Sequence, residues 1–190
     1  MQKVIFLSLL FVMGIVNSQA QLGLKGGVNI SNFTGGDFPN IEKNPLVAFH
    51  AGILWRIKFD HLVLQPEALW STQGAKLDDQ GQGSEEDYKV NYLNIPIMLQ
   101  WQFKGNFYVE AGPQAGFKLS EDIPSSAGID DFAKSTDISI GLGLGFVKSK
   151  GLGIGGRYTV GVTKVGDFES ANMDSDFKNG VIQISLMYVF

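Results

Sequence analysis

The chain has 190 residues, with 24 glycines, no cysteine, a formal net charge of -4 and only 18% charged residues. It is long enough for one domain with a substantial core and poor in charge for a soluble domain. The lack of cysteine excludes a disulfide frame, a thiolate metal site and a lipid-anchor cysteine, and the acidic balance argues against general nucleic-acid binding.

Residues 1–20 read as an export signal. Lys3 supplies the positive start, Val4 to Val16 the apolar core, and Ser18-Gln19-Ala20 resembles a signal-peptidase site. The apolar run is too short to cross a bilayer. The mature domain is therefore expected at residues 21–190. No later stretch reaches 18 consecutive apolar residues, so the reading is an exported chain without a membrane-spanning helix.

Eight stretches then alternate with period two, near 22–31, 46–59, 62–76, 89–104, 107–120, 136–148, 151–164 and 179–190, and are predicted as strands. Their connections alternate in length. Those at 60–61, 105–106 and 149–150 are tight turns built on Asp60, Gly105-Asn106 and Ser149. Those at 32–45, 77–88, 121–135 and 165–178 are long and polar. Short turns at one end and long loops at the other are the pattern of a bacterial outer-membrane barrel, with the short side in the periplasm.

The last strand, Gly180 to Phe190, places Ile182, Ile184, Leu186, Tyr188 and Phe190 on one face. Such a strand needs partners on both edges, and a sheet closed on itself, with this strand zipped to the first, supplies them. Its terminal aromatic is the expected recognition signal for the barrel-assembly machinery.

Every strand has one face free of charge, as in Val47, Phe49, Ile53, Trp55, Ile57 and Phe59, or Leu93, Ile95, Ile97, Leu99, Trp101 and Phe103. The other face carries Lys25, Asn29, His50, Arg56, Lys58, Gln65, Glu67, Gln73, Asn94, Gln100, Glu110, Gln114, Lys118, Asp137, Arg157 and Gln183. A soluble barrel would turn the apolar face inward and a membrane barrel outward. Eight strands enclose a lumen only wide enough for side chains to fill, and the apolar face is too bulky for it. Aromatics gather near strand ends, as an interfacial girdle would, and tilted strands of this length cross the bilayer. The predicted fold is an all-β, eight-stranded antiparallel up-and-down transmembrane barrel in contact with outer-membrane lipid and lipopolysaccharide.

Gly141, Gly143, Gly145, Gly153 and Gly155 all fall on the inner face and predict a thin wall beside long side chains such as Tyr108, Arg56 and Glu67. Pro66, Pro96 and Pro113 each remove a ladder hydrogen bond, so bulges are expected at all three.

Leu24-Lys-Gly-Gly-Val-Asn-Ile-Ser-Asn-Phe33 resembles the first strand of the PorT-type porin-like β-barrels, an outer-membrane domain abundant in Bacteroidota. Leu64-Gln-Pro-Glu67, Tyr92-Leu-Asn-Ile-Pro96, Tyr108-Val-Glu-Ala-Gly-Pro113, Gly141 to Phe146, Arg157-Tyr158 and the Tyr188-Val-Phe190 ending extend the resemblance over the mature chain. The resemblance implies an eight-stranded outer-membrane barrel. The secretion role of the family's namesake does not carry over with it.

The charged inner face is the first candidate site. Lys25, Arg56, Glu67, Glu110 and Arg157 share the lumen, and buried charges demand partners. Arg56 is expected opposite Gln65 and diagonal to Glu67, and Gln100 opposite Glu110. The favoured reading is a salt-bridged plug that rigidifies the barrel; the alternative is a narrow path for ions or small solutes.

The long loops hold 15 of the 19 acidic residues and sum to -12, leaving +7 on the rest of the mature chain. They suit solvated exterior loops or contact with a protein partner. Asp174 and Asp176 form a candidate cation-binding loop, although it lacks the glycine and distal glutamate of a calcium loop.

Gly151-Leu-Gly-Ile-Gly-Gly156 fits a dinucleotide spacing, but it lies within a strand with no helix after it. His50 is the only mid-strand histidine and has no evident serine or aspartate partner in the sequence. No catalytic residue, cofactor or firm metal site is expected. The function read from the sequence is non-enzymatic: a surface, envelope or secretion-accessory barrel with acidic loops.

Overall fold

The computed structural model describes residues 20–35, 41–79, 84–123, 133–164 and 177–190. The export-signal reading therefore falls almost wholly outside the described residues, as do Asp174 and Asp176. Eight strands run in order: β1 (Ala20–Gly35), β2 (Ile41–Phe59), β3 (Leu62–Asp79), β4 (Ser84–Gln102), β5 (Phe107–Asp122), β6 (Thr136–Val147), β7 (Gly151–Gly161) and β8 (Phe177–Val189). Each pairs antiparallel with the next, and β8 returns to β1 to close the barrel. The closing seam runs from Gly23↔Val189 to Gly35↔Phe177, and the Phe190 amide adds a bond to the Leu22 carbonyl at 2.9 Å.

The tight turns form because their residues tolerate left-handed backbone. Asp60 (φ 54°) and Asn106 (φ 67°) are the two non-glycine residues there, beside Gly105 (φ 87°) and Gly151 (φ 102°); short polar side chains reach this region at least cost.

The two faces separate as the alternation requires. Phe49 is 65% exposed and Leu152 67%, whereas Arg56 and Gln100 are fully buried. Trp55 and Trp101 stand on the outer surface. An outer surface this apolar, around an interior this polar, is stable only in hydrocarbon.

Strand length differs from the sequence reading. A tilted strand needs about 9–11 residues to cross a membrane. β6 and β7, with 12 and 11 residues, are that length. β2, β3 and β4, with 19, 18 and 19, project well beyond it. The segment read as a loop at 77–88 is largely a hairpin, paired from Leu77↔Glu86 to Asp79↔Ser84. Residues 41–45, read as loop, pair with 75–79.

Period two continues through this projection, but its polarity inverts. Above Trp70 and Leu93, outward positions become polar: Thr72 bonds Asn91 at 2.6 Å, and Asp87 pairs with Lys89 at 2.8 Å. Inward positions become apolar, with Ala75, Leu77, Tyr88 and Val90 buried. The barrel there leaves lipid and assumes the sidedness of a water-soluble one.

The expected bulges at Pro66, Pro96 and Pro113 are absent. Pro66↔Ile97, Pro96↔Gln114 and Pro113↔Ile140 all keep register. Each proline instead lies in a short gap in the pairing with its preceding strand, while the residue count on both sides is unchanged. The missing N–H removes one rung without inserting a residue. The register shifts lie elsewhere, between Pro45 and His50 and between Asn91 and Tyr92.

The glycine wall makes room for Tyr108, Glu110 and Arg157, not for Arg56 and Glu67. A Cβ on Gly143 would stand 2.8 Å from Glu110 Oε1, one on Gly141 3.3 Å from Arg157 Cδ, and one on Gly155 would collide with Tyr108 Oη.

Two outcomes follow from this architecture. Gly155→Ala should lower unfolding stability by about 1–3 kcal/mol through overpacking, and the loss should shrink in a Tyr108→Phe background because only the hydroxyl obstructs the new methyl; urea titration of the four variants in detergent reads the coupling. Leu142→Arg, on the outer face, should cost roughly 2–4 kcal/mol in lipid, a penalty that would be absent if that face met water.

Candidate functional site

The interior is stacked in layers. At the periplasmic end Leu54, Tyr108, Val147, Met187 and Val189 form an apolar floor. Lys58, half-buried on the inner face, reaches across the barrel mouth to Ser149 Oγ at 3.0 Å. At the extracellular end Phe33, Leu77, Tyr88, Val90, Tyr92 and Phe177 form an apolar cap, joined by Ala75 and Ala133. Phe33 and Phe177 pack at a tilt across the β1–β8 seam with ring centres 4.5 Å apart.

Between these lies a web of charge. Glu67 on β3 is its hub. Arg157 on β7 donates to it through both terminal nitrogens, at 2.7 and 3.0 Å. Lys25 on β1 donates at 3.1 Å to each oxygen, and Gln65 at 2.7 Å. Arg157 Nε donates to Glu110 on β5 at 2.8 Å, whose other oxygen accepts from Gln100 at 2.9 Å. Four of the five residues predicted to share the lumen are thus joined by direct ion pairs crossing it.

The fifth, Arg56, touches no carboxylate. Its Nε donates to Gln65 at 3.1 Å and its Nη2 to Gln100 at 3.3 Å, while Nη1 has no partner. Arg56 thus joins the web through two neutral amides. The expected facing pairs, Arg56 with Gln65 and Gln100 with Glu110, are in place. Bidentate, charge-assisted geometry fixes planar groups in both distance and angle, so this web holds strands from opposite walls at set separations.

Above the web is a neutral layer that was not legible in the sequence. Asn29 donates through Nδ2 to Ser71 Oγ and the Thr72 carbonyl, both at 2.9 Å. Its Oδ1 therefore faces His50 Nδ1 at 2.8 Å, which makes that nitrogen the protonated one. His50 Nε2 then accepts from Ser185 Oγ at 2.9 Å. The fold thus gives His50 the serine partner that the sequence did not reveal, 135 residues away on β8. A Ser–His–Asn relay is a nucleophile geometry in principle. Here Ser185 is 3% exposed and His50 1%, inside the lumen, so no substrate reaches the hydroxyl in this conformation. Among the described residues, no three histidine, aspartate or glutamate side chains converge as a metal site.

The acidic exterior is only partly described. Asp87 pairs with Lys89 and, at 3.8 Å, with Lys76; Glu121 pairs with Lys118 at 3.2 Å and accepts from the Ala133 amide at 3.2 Å.

This architecture has counterparts among solved outer-membrane proteins. OprG from Pseudomonas aeruginosa aligns over 90% of this chain and 96% of its own, with a TM-score of 0.52 at 13% identity. Neisserial surface protein A aligns over 91% and 100%, with 0.51 at 12%. Ail, the attachment invasion locus protein of Yersinia pestis, aligns over 91% and 100%, with 0.52 at 15%. At such identities the likeness is one of fold. No protein of curated function matches the sequence. The family model described as the outer membrane protein beta-barrel domain matches residues 16–167. A closed eight-stranded barrel with a lipid-suited exterior and this match over most of its length belongs to that family, and its place is the outer membrane.

Proposed function

We propose that the protein is a plugged, non-enzymatic barrel whose work is done at the cell surface by the projecting β2–β4 wall and the acidic loops around it. The observation that carries this reading is the charge web. Glu67 and Glu110 share the guanidinium of Arg157, and the web ties β1, β3, β5 and β7 together across the lumen. Apolar layers lie above and below it. A conducting pore needs polar lining and weak, exchangeable contacts along its length; this interior instead invests its charges in one another.

Residues 1–20 act as the export signal and 21–190 as the barrel domain. The PorT-type branch is the finer placement within the family, supported by Leu24 to Phe33, Tyr92 to Pro96 and Tyr108 to Pro113. Partners are outer-membrane lipid and lipopolysaccharide around the wall, the assembly machinery at the Phe190 strand, and a basic protein surface at the acidic exterior. A narrow channel is the second reading, favoured by Arg56, a buried cation with an unfilled donor inside a polar lumen.

Planar-bilayer recording on the purified protein separates the two: the plug predicts no steady current, and sustained unitary conductance would reject it. Glu67→Ala leaves Lys25 and Arg157 buried without their carboxylate and should cost about 3–5 kcal/mol, read as a fall in the urea midpoint in detergent. An unchanged midpoint would mean that the web does not hold the barrel.

A further inference from the structure

Among the described residues, one buried carboxylate of this barrel is in no ion pair. Glu67 and Glu110 are each ion-paired to Arg157. Asp137, near the start of β6 and 5% exposed, accepts a hydrogen bond from Thr163 Oγ1 at 3.1 Å and makes no ion pair among the described residues. Arg56, the surplus cation of the web, is bonded to Gln65 and Gln100 lower in the barrel and makes no contact with it.

The surroundings of Asp137 are equally unfinished. Tyr92 Oη, Asn94 Nδ2 and Gln114 Oε1 are all buried without a hydrogen-bond partner, in side chains 1–4% exposed, and the Asn179 amide sits against both Asp137 and Tyr92. Asn94 and Asp137 meet over Gly116, which pairs with Asp137 across the β5–β6 ladder and with Asn94 across the β4–β5 ladder. A Cβ there would stand 2.7 Å from Asn94 Oδ1, 3.4 Å from the Tyr92 ring and 3.6 Å from Asp137 Cβ. Unpaired buried polar atoms each cost free energy, and natural interiors fill such clusters with water or an ion. The Asn94 and Gln114 amides can each present oxygen or nitrogen by rotating half a turn.

We infer that Asp137 anchors an occluded site for a monovalent cation, sodium or potassium, in the lumen between the charge web and the apolar cap. The oxygens available to it are the Asp137 carboxylate and the neutral oxygens of Tyr92, Asn94 and Gln114, with enclosed water completing the shell. A single carboxylate among neutral oxygens matches one positive charge. Calcium sites draw on several carboxylates, and none stands beside Asp137. The site lies under the apolar cap, to which Tyr92 also belongs, and it does not depend on whether the loops bind a partner.

The test is the thermal unfolding midpoint of the purified full chain in detergent, in sodium, potassium and choline chloride at equal ionic strength. Sodium or potassium should raise the midpoint by several degrees above choline. Asp137→Asn should abolish that increment, while Asp60→Asn, in a periplasmic turn, should keep it. Equal midpoints in the three salts, or an increment that survives in Asp137→Asn, would overturn the site. Crystals soaked in rubidium chloride give a readout that needs no variant: an anomalous peak beside Asp137 supports the site, and ordered water alone refutes it.

Discussion

Hydrocarbon offers no hydrogen bond to a peptide group, and that single constraint organises this molecule. Each unpaired N–H or C=O in the bilayer costs several kcal/mol, so a sheet that enters it must close. The β1–β8 seam performs the closure, with thirteen partner pairs from Gly23↔Val189 to Gly35↔Phe177. The same constraint explains the behaviour of the prolines. Pro66, Pro96 and Pro113 each interrupt pairing toward the preceding strand. A bulge would restore nothing there and would tilt the next stretch of apolar side chains out of phase with the lipid. Losing one rung while keeping the count preserves the outer face, because a slip of one residue would turn every side chain to the wrong side.

Closure gives the exterior to lipid and leaves specificity to the interior. A charge enclosed in a narrow lumen costs free energy unless it is paired, and Glu67 shows how pairing is achieved: one carboxylate accepts from Arg157, Lys25 and Gln65 at once. The glycines of β6 and β7 belong to the same solution. They thin the wall where Tyr108, Glu110 and Arg157 reach inward, so bulk on one strand is matched by its absence on the strand beside it. Gln65 and Gln100 carry Arg56 into the web as neutral intermediaries, which spreads its charge without adding a further buried carboxylate.

Beyond the bilayer the rules change within the same strands. The β2–β4 wall exchanges its sidedness at the level of Trp70 and Leu93, apolar outward below and apolar inward above. Its outer surface there is held by exposed polar pairs such as Lys89 with Asp87. Such surface pairs contribute little to stability. The projection stands because its inward side buries Leu77, Tyr88 and Val90 under the cap. Two solvents thus act on one continuous sheet, and the extracellular wall is paired strand where a loop was expected.

The sequence by itself determined the barrel, its strand count, its sidedness in the membrane and which charges face inward. Strict alternation has only one phase compatible with lipid, and turn chemistry at Asp60, Gly105-Asn106 and Ser149 marks the short end. Local pattern also placed Arg56 opposite Gln65 and Gln100 opposite Glu110, since partners across a tight hairpin follow from counting back from the turn. Only the tertiary structure decided which distant residues meet across the lumen: Arg157 with Glu67, 90 residues apart, and His50 with Ser185, 135 apart. It also decided that residues 77–79 and 84–88 are strand, where an acidic, polar composition read as loop. Contacts across a closed barrel depend on the stagger accumulated around all eight strands, and no single stretch of chain carries that quantity.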